Sequence, residues 1–321
     1  MTALLTTALA GTAVAQDEEF GAEGEVGAEG EFGAEGEMGA EGEMGAEGDM
    51  GAEGDMGAEG GDMGADAGMD ASVEASAPSA TLPAGKIAIF ASLQLGLSSE
   101  DVGGGVGSPI AIAPDVWYGV NDKLQVGAVT SWYGMTGFWS GTFGTGLCVS
   151  GEENGCPNVF DNLGAEAHYS VVADGAFSMS AGGGLHAVQF SDPFQLALKA
   201  GVRGMYRTGK IGIGFAPNLF VGLTERDLGN KEILFVPVDV NFQATPELTV
   251  GLQSGIWGPL DGFGDAYFVP VAIGAAYMIN PQMSILGAFA FDRLTGGTPE
   301  GADGPGAADL RSLNITFAYM M

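Results

Sequence analysis

The sequence predicts an all-β chain: an up-and-down antiparallel transmembrane β-barrel of about twelve strands, preceded by a disordered amino-terminal acidic repeat segment. Three observations predict it. Between Lys86 and Met321, apolar and polar residues alternate with period two in about a dozen stretches, the side-chain period of a strand. The connections between the stretches are alternately short and long. Five of the seven tyrosines, Tyr118, Tyr169, Tyr206, Tyr277 and Tyr319, fall in outward phase where every second stretch, bar one, nears a short turn or the chain end. Phe242 takes that place on the remaining stretch, and Phe177 joins it from a strand leaving a turn. This is an aromatic girdle at one water–lipid interface.

The first strand shows the alternation clearly. Ile87, Ile89, Ala91, Leu93, Leu95 and Leu97 face one way, and Ala88, Phe90, Ser92, Gln94 and Gly96 the other. The pattern recurs over 110–120, 124–133, 159–172, 177–188, 194–206, 211–223, 233–243, 248–257, 267–277, 283–291 and 311–319. Eleven residues at a rise of ~3.3 Å and a tilt of ~40° project to ~28 Å, enough to cross the hydrocarbon layer. Pro114, Pro217, Pro237 and Pro270 interrupt these stretches, and each removes a ladder donor, so bulges or strand ends are expected there.

Tight joints are expected at Asn121-Asp122-Lys123, Ala173-Asp174-Gly175, Arg207-Thr208-Gly209-Lys210, Thr245-Pro246-Glu247 and Asn280-Pro281-Gln282, where Asn, Asp and Gly tolerate positive φ and Pro presets its own. The other joints are longer, notably 134–158 and 292–310. Short turns at one end and long loops at the other follow the outer-membrane pattern, with both chain ends on the periplasmic side and the long loops extracellular.

The closing strand, with Leu313, Ile315, Phe317, Tyr319 and Met321 in one phase, resembles the carboxy-terminal assembly signal of Gram-negative outer-membrane barrels. That signal usually ends in Phe, whereas this chain ends in Met321. The resemblance covers roughly residues 86–321, within one barrel domain at 83–321, and is porin-like at the level of class. It implies outer-membrane lipid and lipopolysaccharide as surroundings and the barrel-assembly machinery as a partner.

Composition agrees. Only 16% of residues are charged and 46% are hydrophobic, yet no apolar run approaches the ~20 residues of a membrane helix. Residues 1–15 read as a secretion signal, with Ala13-Val14-Ala15 before Gln16 as the small-residue cleavage pattern. No Lys or Arg precedes this stretch, and the natural start is expected upstream. Residues 16–82 are expected to be an acidic tether of Gly-Ala-Glu-Gly-Glu-Val hexapeptides from Gly21, in which Val26 gives way to Phe32, Met38, Met44, Met50 and Met56. Twenty of the 41 acidic side chains lie between Asp17 and Glu74, with no base among them. Self-repulsion and glycine entropy favour a solvated chain, with weak divalent-cation binding as the functional alternative. Cys148 and Cys156 sit in the longest inter-strand loop, and a disulfide is expected between them in an oxidising compartment.

Phase also fixes the lumen. If Leu196, Leu198, Ala200 and Val202 meet lipid, Lys199 and Arg203 point inward; the reverse would cost about 2 to 4 kcal/mol for each base near the midplane. Asp115, Glu166, Lys199, Asn218, Asp239 and Gln253 are expected at about one height as a polar belt, with Arg203 nearer the periplasm. This belt reads equally as a selectivity constriction or as an internal network that fills the barrel. Small inward residues, including Gly182, Gly184, Gly212, Gly214, Gly251 and Gly274, are expected to leave room for water.

Catalytic constellations are not apparent. His168 and His186 both face inward, but a turn at 173–175 would place His168 opposite Ser180 and His186 opposite Asn162, roughly 20 Å apart at the strand rise and unable to share a site. No nucleotide-binding, hydrolase or zinc-protease motif is present, so neither enzyme activity nor a cofactor or resident metal is expected. A net charge of −31 with ten scattered bases argues against nucleic acid. Loop acids such as Glu152, Glu153, Asp227, Asp261, Asp303 and Asp309 are solvated tips or divalent-ion bridges to lipopolysaccharide. Two functions remain: a passive porin-like channel or small-solute transporter, and a non-conducting anchor that displays the acidic loops and tether.

Overall fold

The computed structural model describes residues 80–98, 108–131, 147–150, 162–190, 192–298, 306 and 309–321. The signal, almost all of the tether, Cys156, Glu152, Glu153 and Asp303 lie outside the described residues. Twelve strands make up the barrel: β1 (Ile87–Ser98), β2 (Ile110–Asn121), β3 (Leu124–Val129), β4 (Leu163–Asp174), β5 (Phe177–Gln189) and β6 (Gln195–Thr208) form its first half. The second half contains β7 in two segments (Ile211–Phe215 and Asn218–Gly222), β8 (Ile233–Gln243), β9 (Leu248–Pro259), β10 (Phe268–Asn280), β11 (Met283–Gly296) and β12 (Leu310–Met320). Each is antiparallel to its neighbours, and β1 pairs with both β2 and β12, so the sheet closes on itself. A two-residue strand, Leu147–Cys148, pairs with β2 beyond the end of β3.

The alternation decides the faces. Along β2, Ile110, Ile112, Val116, Tyr118 and Val120 are exposed, whereas Ala111, Ala113, Asp115 and Trp117 are buried. The same division runs through β4 and β8, and it places the apolar side chains outside and the polar ones inside, the inverse of a soluble protein. Among the described residues no helix is long and apolar enough to cross a membrane; the strands make the crossing.

Local chemistry ends the strands where expected, with small shifts. Asn121 Oδ1 accepts the N–H groups of Lys123 and Leu124, both at 2.9 Å, and Asn280 Oδ1 does the same for Gln282 at 2.9 Å. Gly175 and Gly209 adopt φ of 53° and 55° in two-residue turns, a region that side chains avoid. The turn after β4 is therefore Gly175-Ala176, later than the expected 173–175.

The four prolines sit where the ladder is already interrupted. Pro217 lies in the gap between the two segments of β7, and Pro237 on β8 faces that same gap, where its carbonyl accepts the Ala216 N–H at 3.1 Å. Pro270 coincides with a register shift between β10 and β11. Pro114 lies beyond the last β2–β3 pair, and its carbonyl accepts the Thr130 hydroxyl at 2.8 Å. β3 stops at Val129, short of the expected 133, and β4 begins at Leu163, after the expected 159. The stretch expected at 211–223 is likewise broken in two.

Thr81 and Leu82, assigned to the tether by composition, are buried. Leu82 packs with Phe90, Trp117 and Val129, its N–H donates to Gln125 Oε1 at 2.8 Å, and Gly85 N–H reaches the Gly119 carbonyl at 2.7 Å. Gly119 is required here, because a Cβ would strike the carbonyls of Pro83 and Leu82. The segment before β1 thus tucks into the tight-turn end of the lumen.

Candidate functional site

The girdle can be followed through the strand register. Tyr118 lies opposite Ile87 and Val126, Tyr169 opposite Leu124, Tyr206 opposite Phe177 and Ile213, Phe242 opposite Ile211, Tyr277 opposite Leu248 and Ile285, and Tyr319 opposite Met283 and Ile89. Tyr118, Tyr169, Tyr206, Phe242 and Tyr277 are exposed, while Phe177 is half-buried by stacking on Phe215 at 6.4 Å and Tyr319 is half-buried.

Inside, Glu166 organises one wall. It lies in register with Gly184 on β5, which in turn pairs with Lys199 on β6, so the two long side chains meet over a residue without one. Lys199 Nζ is 2.7 Å from Glu166 Oε1. His168 Nε2 is 2.7 Å from Glu166 Oε2 and His186 Nε2 is 3.0 Å from Oε1, so the two histidines share one carboxylate. This overturns the expected separation. His168 pairs with Gly182 and His186 with Gly164, because the later turn and a bulge between Ser170 and Val172 shift the hairpin register. The rings then lean toward Glu166 from either side, and Asn162 Oδ1 holds His186 Nδ1 at 3.1 Å.

The other belt residues divide. Arg203 sits with its guanidinium 5.2 Å from the Trp117 ring, reaching from β6 to β2. Asp115 accepts the N–H groups of Thr130 and Ser131 at 2.7 and 3.0 Å and the Ser131 hydroxyl, and so terminates β3. Asn218 Nδ2 donates to the Ala216 carbonyl at 2.7 Å, across the break in β7. Asp239 accepts from Asn241 Nδ2 at 2.5 Å and lies opposite Gln253. Glu166 and Lys199 therefore form one bonded cluster flanked by Asp115 and Arg203, whereas Asn218 and Asp239 stand on adjoining walls with local partners and Gln253 lies opposite Asp239.

The aromatic lining of the lumen was not anticipated. Phe220 on β7 meets Phe235 on β8 at 5.5 Å, Phe235 stacks on Trp257 of β9 at 5.6 Å, and Trp257 stacks on Phe268 of β10 at 4.3 Å. His186 touches Phe220 at 5.3 Å at one end and Arg293 lies 5.3 Å from Phe268 at the other, while Trp117 meets His168 at 5.4 Å. Side-chain contacts thus run around the lumen from β2 to β11. The signal was present in the sequence, since Trp117 shares the phase of Asp115, Phe220 that of Asn218, Phe235 that of Asp239 and Trp257 that of Gln253.

These contacts close the lumen. Asp115, Trp117, Glu166, His168, His186, Lys199, Phe220, Gln253, Ala290, Ser312 and Asn314 are each no more than 5% exposed. Two of the glycines expected to leave room for water instead accommodate neighbours, since a Cβ at Gly182 would meet the His168 ring and one at Gly214 the Asp239 carboxylate, whereas one at Gly212 would meet nothing closer than 3.9 Å. At the long-loop end, Arg226 pairs with Glu232 at 2.8 Å and Lys231 with Asp261 at 2.7 Å. The hydrogen bond from Arg226 holds the Glu232 carboxyl below its ordinary range, and that from Lys231 does the same for Asp261.

Cys148 is buried on its short strand; its expected partner Cys156 lies outside the described residues.

No family model matches the chain, and no curated protein matches it in sequence. Among solved structures it is similar to the NanC porin, at 12% identity over 71% of this chain and 98% of that one, with a TM-score of 0.47. It is also similar to the KdgM porin in complex with disordered oligogalacturonate, at 8% identity over 72% and 98% of the two chains and a TM-score of 0.45. An outer-membrane channel from Pseudomonas putida F1 shows 12% identity over 75% and 97%, with a TM-score of 0.47. Likeness at this level concerns shape, and the class of this chain rests on its own closure, inverted alternation and girdle. It is a closed antiparallel transmembrane β-barrel with an apolar outer face.

Proposed function

We propose that the barrel is a porin-like passage for small solutes, held shut at mid-height by its own side chains. The observation that carries this reading is the nature of the closure: a non-covalent run of contacts centred on the Glu166–Lys199 pair, with Arg203 laid on Trp117. A barrel filled for stability alone gains little from buried ions, because apolar side chains of equal volume carry no desolvation penalty. Ionisable groups at membrane depth belong preferentially to solute and ion routes. Opening requires the Glu166 cluster to part while the barrel wall stays intact.

Single-channel recording in planar bilayers tests this. Wild-type protein should give rare, small openings, and Glu166→Gln or Arg203→Met should raise the open fraction. Silence in the wild type and in both variants, each confirmed as inserted, overturns it in favour of the non-conducting anchor. That second reading is favoured by Leu82, whose segment stoppers the tight-turn mouth.

The same proposal places the tight turns and both chain ends in the periplasm and the long loops outside. It takes lipopolysaccharide as the neighbour of the acidic loops, bridged by divalent cations, and assembly through the barrel-assembly machinery. It also pairs Cys148 with Cys156; thiol titration of unreduced, denatured protein should find no free thiol, and two free thiols would exclude the bond.

A further inference from the structure

Asp239 stands apart from the network around Glu166. It is buried on the inner face of β8, and no Lys, Arg or His among the described residues forms an ion pair with it. The carboxylate folds over Gly214 on β7 and is held by the Asn241 amide at 2.5 Å. Neutral donors ease a buried charge but do not balance it.

Two more buried oxygens belong to its neighbours on the inner face. Asn241 Oδ1 and Gln253 Oε1 are buried and accept no hydrogen bond. Gln253 lies directly opposite Asp239 across the β8–β9 pair, and Asn241 lies two residues along the same inward face. The orientation of the Asn241 amide is fixed, because its Nδ2 donates to Asp239 and the reverse placement would set oxygen against oxygen. Its Oδ1 therefore has no donor to meet it. Space is available beside it: Gly212 faces Asn241 across β7–β8, and a Cβ there would meet nothing closer than the Asn241 Cβ and the Arg207 Cγ, both at 3.9 Å.

A buried carboxylate without a base, beside two acceptors without donors, is an all-oxygen ligand set, and oxygen ligands suit hard cations. Among the described residues, no group of three or more His, Cys, Asp or Glu side chains is arranged for a metal; this set uses amide oxygens with a single carboxylate. One negative charge is balanced by one positive charge, whereas a divalent ion would leave an excess in a low-dielectric lumen. We propose that Asp239, Asn241 and Gln253 bind a monovalent hard cation of the sodium class inside the barrel, with water completing its shell. The site lies away from the Glu166 closure and requires no conduction.

The test uses the full chain folded in detergent micelles, with the thermal midpoint of the gel mobility shift as readout. Sodium chloride is compared with N-methylglucamine chloride at equal ionic strength and fixed pH. Sodium should raise the midpoint saturably, by about 2 to 4 °C. Asp239→Asn should abolish the difference, and Gln253→Met, which keeps the volume but removes the oxygen, should reduce or abolish it even if Asp239→Asn fails to fold. Equal midpoints in the two salts, as for a carboxyl that simply holds a proton, overturn the proposal. A sodium effect that survives in Gln253→Met and in any folded Asp239→Asn, or a midpoint that responds to calcium but not to sodium, also overturns it.

Discussion

His168 and His186 bind opposite oxygens of a single carboxylate, Glu166, at 2.7 and 3.0 Å, although they come from different strands and lie eighteen positions apart in the chain. With Lys199 at 2.7 Å on one of those oxygens, Glu166 engages three side chains at once. The cluster is polar, dry and anchored to three consecutive strands, so its members should behave as a unit.

Removing one partner should cost more than removing the pair. Lys199→Met leaves Glu166 buried without its permanent cation and should destabilise the folded barrel by about 3 to 5 kcal/mol. Adding Glu166→Gln should recover most of that loss. Urea unfolding in lipid vesicles provides the measurement, and simple additivity of the two changes would contradict the coupling.

Glycines inside and outside the barrel should respond differently to one methyl group. A Cβ at Gly184 would strike the backbone of β4, whereas one at Gly287, on the lipid face of β11, meets nothing within 4 Å. Gly184→Ala should lower stability by about 1 to 3 kcal/mol through overpacking. Gly287→Ala should be neutral or slightly stabilising, by up to about 1 kcal/mol. Equal effects would mean that the β4–β5 wall relaxes freely.

The lipid face should show a depth gradient. Leu252 projects outward from the middle of β9, and Ile211 projects outward beside Phe242, next to the turn that precedes β7. Leu252→Arg should cost about 2 to 4 kcal/mol and Ile211→Arg about 0 to 1 kcal/mol. Refolding into vesicles over a urea series measures both.

The segment before β1 divides at Ala80. Removal of residues 2–79 should leave refolding into detergent intact, as judged by mobility of unheated protein. Leu82→Ala in the full chain should destabilise by about 2 to 3 kcal/mol, because Leu82 fills space between Phe90, Trp117 and Val129. A truncated protein that fails to refold would show that the acidic repeat contributes to barrel assembly.

The strand phases, the twelve-strand count and the inward direction of Asp115, Glu166, Lys199 and Asp239 were legible in the sequence. The physical reason is that lipid accepts only apolar side chains, so one face of every strand is written into the order of residues. The tertiary structure alone decided the register. The turn at Gly175-Ala176 and the bulge between Ser170 and Val172 bring His168 and His186 onto Glu166. Period-two patterns carry no record of such shifts, because an even displacement leaves every side chain on its own face. The filled lumen also belongs to the tertiary structure: the openings implied by Gly182 and Gly214 are taken up by side chains of neighbouring strands, which become neighbours only when the sheet closes.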